Sequence, residues 1–152
     1  MLAMHFQFGA AVVIAALAMN AADSAYVALV DKPATVEVPV PKTAGRAKAL
    51  LLHLEHVIAP KNAAVTFNIF ADLPSADKST SVDHQNFVGY VTMLPNPTAP
   101  NNPAKGITMQ MAEPAARLVR VEKTARLTFV PTEPIAEGGV TIGSIRIEPV
   151  LH

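Results

Sequence analysis

From Tyr26 onward the chain carries no strong apolar pattern of helical period. Short runs rich in Val, Ile, Thr and Phe are instead cut repeatedly by Pro, Gly, Asn and Asp. Such runs bury one face by alternation, and many of them in one chain bury those faces by stacking two sheets. The expected fold over 26–152 is therefore all-β, an antiparallel β-sandwich of seven or eight strands, with strands at 26–30, 34–40, 47–58, 63–73, 86–94, 105–111, 124–131 and 138–150. In 34–40, Val36, Val38 and Val40 share one face, and Pro39 and Pro41 remove ladder donors, which places this strand at an edge. In 63–73, Val65, Phe67, Ile69 and Ala71 alternate with Thr66, Asn68 and Phe70. The stretch EPAARLVRV, 113–121, reads as either a short helix or a further strand.

At 152 residues the chain has room for one domain with a sizeable core. Residues 1–22 hold no charged side chain, and Gly9 to Met19 is an unbroken apolar run. Residues 1–25 are read as a signal peptide, with small residues Ala22, Ser24 and Ala25 near a cleavage point, or as an uncleaved N-terminal hydrophobic helix that anchors the domain in a membrane. A positive charge before the apolar run, usual in a signal peptide, is missing. A buried first helix is the third reading. The first two make the domain exported, periplasmic or extracellular. Twelve basic residues balance twelve acidic ones, so charge gives no reason to expect nucleic acid. The lack of cysteine excludes disulfides, thiolate metal sites and cysteine nucleophiles.

Two stretches suggest metal chemistry. In LLLHLEHVIAP, His53 and His56 flank Glu55, but a regular strand alternates its side chains, so the two histidines are expected on opposite faces and unable to chelate one ion. In MQM, Met109 and Met111 share a strand face, and paired thioethers suit Cu(I), although core packing is their usual use. Arg117, Arg120, Lys123 and Arg126 read as a solvated face. Asp83 and His84 lie near Ser79 and Ser81 without a Gly-x-Ser-x-Gly elbow or a second polar group to orient a base. No catalytic centre is specified. Two loops, 74–86 and 95–106, are long enough to carry partner contacts at an end of the sandwich, or to serve as solvated connectors.

Four stretches, KPATVEVPVP, ALLLHLEHVIAP with TFNIFADLP, HQNFVGYVTML, and RLTFVPTEP with VTIGSIRIEPV, follow one another in an order and spacing that resembles the C-terminal β-sandwich domain of bacterial tyrosinases and plant polyphenol oxidases, over residues 31–150. In that family a separate helical domain binds two coppers through six histidines and oxidises phenols. The sandwich covers that site, can insert a side chain over it, and assists folding or latency. The resemblance implies a non-catalytic domain with no cofactor of its own, reaching copper only through a partner. That partner would be another protein, a copper oxidase, or else a larger membrane complex in which the anchored chain is an accessory subunit. Phe70, Phe87 and Tyr90 are the candidates for the inserted side chain, with core packing as the alternative. Asp83, His84, Asn96 and Asn101 are the polar candidates in the two loops.

Overall fold

The computed structural model describes residues 26–98, 104–136 and 138–152. The N-terminal segment 1–25, with its expected hydrophobic helix, and Asn101 lie outside the described residues. Eight strands form two antiparallel four-stranded sheets. Strands β1 (Val27–Leu29), β2 (Ala34–Pro39), β3 (Ala49–Ile58), β4 (Val65–Ala71), β5 (Phe87–Met93), β6 (Lys105–Gln110), β7 (Thr124–Pro131) and β8 (Val140–Val150) follow in chain order, with one helix, α1 (Glu113–Arg120), between β6 and β7. One sheet runs β1-β8-β3-β6 and the other β2-β7-β4-β5. β2 is an edge strand, as its prolines require.

The core lies between the sheets. β3 contributes Leu50, Leu52, Leu54 and Val57, β4 contributes Val65, Phe67, Ile69 and Ala71, β7 contributes Ala125, Leu127 and Phe129, and β8 contributes Val140, Ile142, Ile145 and Ile147. Phe67 and Phe129 meet at 6.0 Å between ring centroids as diagonal neighbours on paired strands, Phe129 standing opposite Ile69. Phe70 points the other way on β4 yet is also fully buried, because Ala76 and Leu73 fold over it with Val130 and Phe87. Leu73 and Ala76 thus cover the part of this sheet's outer face around Phe70 and Val130, where β4 and β7 are buried continuously.

One departure from regular alternation changes a sequence expectation. His56 has φ 52°, and the β3–β6 register shifts between Leu54 and Val57, the mark of a β-bulge. The inner face of β3 therefore jumps from Leu54 to Val57, while Glu55 and the exposed His56 both stay outside. β8 makes the matching jump from Ile142 to Ile145, leaving Gly143 and Ser144 between. Glycine is needed there, because a Cβ at Gly143 would come within 2.8 Å of His56 Cβ. His53 and His56 thus share the outer side of their sheet rather than opposite faces.

The undecided stretch 113–121 is helical. Pro114 stands in its first turn and Ala115, Ala116 and Val119 form its buried side. The helix caps an end of the sandwich, contacting β3, β4 and β5. Arg120 is not on a solvated face, since its side chain is 13% exposed. Its guanidinium donates to both carboxylate oxygens of Glu113, at 2.6 and 3.2 Å, and to the Lys48 carbonyl at 3.0 Å. This ties α1 to the start of β3.

Candidate functional site

Residues 74–86 lead into β5 and residues 95–98 lead away from it, so the described parts of the two loops singled out from the sequence do not share one end of the sandwich. Seven residues of strand separate them by ~20 Å. What joins them is the side of the sandwich where β5, the last strand of one sheet, faces β6, the last strand of the other.

The two strands meet closely at one end of this side. Ala112 donates its N–H to the Val88 carbonyl at 2.9 Å, and the Met109 sulfur covers Gly89, 3.1 Å from where a Cβ would stand. Toward the other end they part, leaving a groove of about 470 Å³ lined by Tyr90, Met93, Leu94, Lys105, Ile107 and Met109, among others. Tyr90 is 65% and Leu94 76% exposed, a large apolar pair at the rim of one groove. Lys105 is its one charged lining residue among the described residues.

The loop entering β5 is a succession of turns. Asp77 Oδ1 accepts from the Ser79 amide at 2.8 Å and from its hydroxyl, and these bonds hold the Asp77 carboxyl below its ordinary range. The Asp83 amide donates to Ser81 Oγ at 3.1 Å, and the Asn86 amide to His84 Nδ1 at 3.1 Å. Asn86 is buried, and its side chain donates to the Ala71 carbonyl at 2.7 Å. Asp83 and His84 are exposed on this loop, and His84 is oriented by it. Phe70, fully buried, presents no face to a partner, and Phe87 packs edge-on against it at 5.6 Å. Of the three aromatic candidates, Tyr90 alone stands out in solvent. At the far end the Asn96 amide donates to the Lys61 carbonyl at 2.9 Å and its Oδ1 accepts from Thr98 at 3.1 Å.

The metal candidates are placed separately. His53 is engaged by its own sheet: Nδ1 lies 2.9 Å from Thr108 Oγ1 and Nε2 2.7 Å from Glu148 Oε2. Arg146 bridges Glu148 and Glu55 at 3.1 and 3.3 Å. The Glu148 carboxyl is held low, first by Arg146 and then by His53. His56 stands beyond this row, on the bulge. Met111 is buried in the core just past β6, and Met109 closes the β5–β6 seam. No group of three or more His, Asp or Glu able to hold a metal occurs among the described residues. No helix among them is long and apolar enough to cross a membrane.

The comparisons with known proteins divide sharply between sequence and structure. No protein-family model and no curated protein sequence matches the chain. Among solved structures, recombinant latent aurone synthase, a polyphenol oxidase, superposes with a TM-score of 0.61 at 17% identity over 82% of this chain. Latent apple tyrosinase superposes with a TM-score of 0.55 at 20% identity, again over 82%. The fold is that of one part of a latent polyphenol oxidase. The chain spans only 25% of the aurone synthase and 27% of the apple enzyme, so the resemblance read from the strand order is carried by the structure for the sandwich and for nothing else.

Sequence reasoning missed the β5–β6 groove, the His53–Glu148–Arg146–Glu55 row and the Arg120 clamp. The row depends on the registers His53↔Arg146 and His53↔Thr108, which pair residues about 90 and 55 positions apart, and no local signal encodes them. Tyr90, by contrast, is already among the aromatic candidates drawn from NFVGYVTML.

Proposed function

We propose that this domain is a non-catalytic protein-binding module that covers or assists a copper oxidase, presenting the β5–β6 side to it. The observation that supports this best is that the fold matches a quarter of latent polyphenol oxidases. The resemblance assigns dicopper chemistry to a different, helical domain. That domain would be supplied by another polypeptide or by a continuation of this one. The action is steric: Tyr90 and Leu94 are the apolar anchors, and the two flanking loops extend the contact along ~20 Å of strand. A face of that length suits a standard interface of ~800 Å² per partner. Copper enters only through the partner, and the apolar run Gly9–Met19 supports an exported location.

The test is isolation of the protein from its native cells in mild detergent, with mass spectrometry of what co-purifies and of the intact chain. Recovery with a six-histidine dicopper oxidase, whose phenol oxidation falls when the domain is added back, is the expected result. Recovery within a membrane assembly holding no copper protein would replace this reading with that of an anchored accessory subunit.

A further inference from the structure

Where β4 ends, Asp72 takes a left-handed conformation, φ 55°, and locks onto β7 with two bonds. Its amide donates to the Arg126 carbonyl at 2.7 Å, and its Oδ1 accepts from the Arg126 amide at 3.1 Å. The second oxygen, Oδ2, is shut off from water and meets no donor among the described residues. Glu122, in the turn between α1 and β7, has the same defect: its Oε2 is sealed and without a donor. The Asp72 carboxyl lies near enough to Glu122 to raise it. Two neighbouring carboxyls, each with a sealed oxygen, are costly to charge together, and each oxygen lacks the hydrogen that one proton between them would provide.

We propose that Asp72 and Glu122 share one proton, and that this proton is a latch fastening the start of the 72–86 loop to the α1–β7 turn, released as pH rises. The charged group opposing it is Arg126 on β7, which favours ionisation of Glu122. Glu37 faces Arg126 across the β2–β7 ladder and Lys123 follows Glu122 in the chain. Burial first, then the Asp72 carboxyl, pushes Glu122 up to about 7. Folded Glu122 thus holds its proton where an unfolded one has lost it, so the latch is complete below the ordinary glutamate range and is lost as pH passes through about 7.

Release acts on the loop. Leu73 follows Asp72 directly, and Leu73 with Ala76 covers Phe70 and Phe87. Loss of the Glu122 proton sets that carboxylate against Asp72 and loosens the cover, so pH sets how firmly the 72–86 loop is held. The latch stands independently of any partner.

Hydrogen exchange on the full chain tests it, at pH 5.5 and 8.5 with intrinsic exchange rates corrected. In the wild type, protection of amides in 72–87 should fall about tenfold, the ratio equivalent to one pH unit of proton linkage. Glu122→Gln and Asp72→Asn each keep a donor between the pair without a titrating proton, and Asn tolerates the left-handed backbone. Both should hold the loop equally protected at the two pH values, while amides of the β3–β8 pair stay unchanged throughout. A wild-type loop indifferent to pH, or the same tenfold loss in both variants, would overturn the latch.

Discussion

A single missing Cβ at Gly143 allows the bulge that moves His56 out of the core. His56 has φ 52°, which an L-residue adopts at a cost, and its Cβ occupies the space a side chain at 143 would need. Gly143→Ala should therefore cost about 2 kcal/mol, in the range of overpacking a closed site. His56→Gly removes both the opposing Cβ and the unfavourable φ. In that background Gly143→Ala should cost less than half as much. Urea denaturation of the four variants measures the coupling, and additive costs would mean that the two positions do not meet. The inner positions of β3 were legible only as far as Leu54. Alternation placed Leu50, Leu52 and Leu54 together but put His56 with them and Val57 outside, because a bulge is set by the partner strand and leaves no mark of its own in LLLHLEHVI.

At the scale of elements, α1 shows why 113–121 could not be settled by reading. The helix has eight residues, and its apolar side is Ala115, Ala116 and Val119, too few to separate period 3.6 from period 2. An isolated helix of this length is marginal in water, so tertiary contacts decide it. The Arg120 clamp on Glu113 and Lys48 O is among those contacts. Arg120→Ala should destabilise the domain by about 1–3 kcal/mol, the range for hydrogen bonds to a charged group with one partner left unpaired. A change within 0.5 kcal/mol in thermal unfolding would mean that the clamp adds nothing. The pH dependence has a definite sign. The Arg120 guanidinium, then Arg117, holds the Glu113 carboxyl below its ordinary value of 4.5. A carboxyl lowered on folding contributes stability above that value and loses it as pH falls through the folded one. Thermal stability between pH 6 and 3 should thus fall less steeply in Glu113→Gln than in the wild type, and parallel curves would count against the pairing. The strands themselves were readable because β4 and β7 carry their inner residues at every second position. The outer cover of Phe70 and Val130 was not, because it comes from Leu73 and Ala76 in a loop whose composition reads as polar.

Across the whole molecule, the sandwich has two open sides, and they differ in a way that bears on partner choice. On one, β2 ends in Pro39 and Pro41 follows, so the strand cannot donate along its end and is guarded against pairing. On the other, β5 and β6 diverge from the Met109–Gly89 contact toward Leu94 and Lys105, and the large apolar residues on this rim are left in water. Exposed apolar area costs nothing to fold stability when removed, but it is what an interface draws on. Tyr90→Ser with Leu94→Ser should therefore leave unfolding free energy within ~0.5 kcal/mol of the wild type, as for surface changes away from the core. The same pair should weaken binding to the co-purified partner by at least about tenfold, the loss of one modest anchor. Leu151→Ser provides the control: this residue is also exposed, at 40%, but follows β8 in the interior of the opposite sheet's strand order. It should leave affinity unchanged. Calorimetric titration of the three proteins against that partner decides the matter, because equal affinities would move the contact surface away from the β5–β6 side while leaving the fold relationship intact.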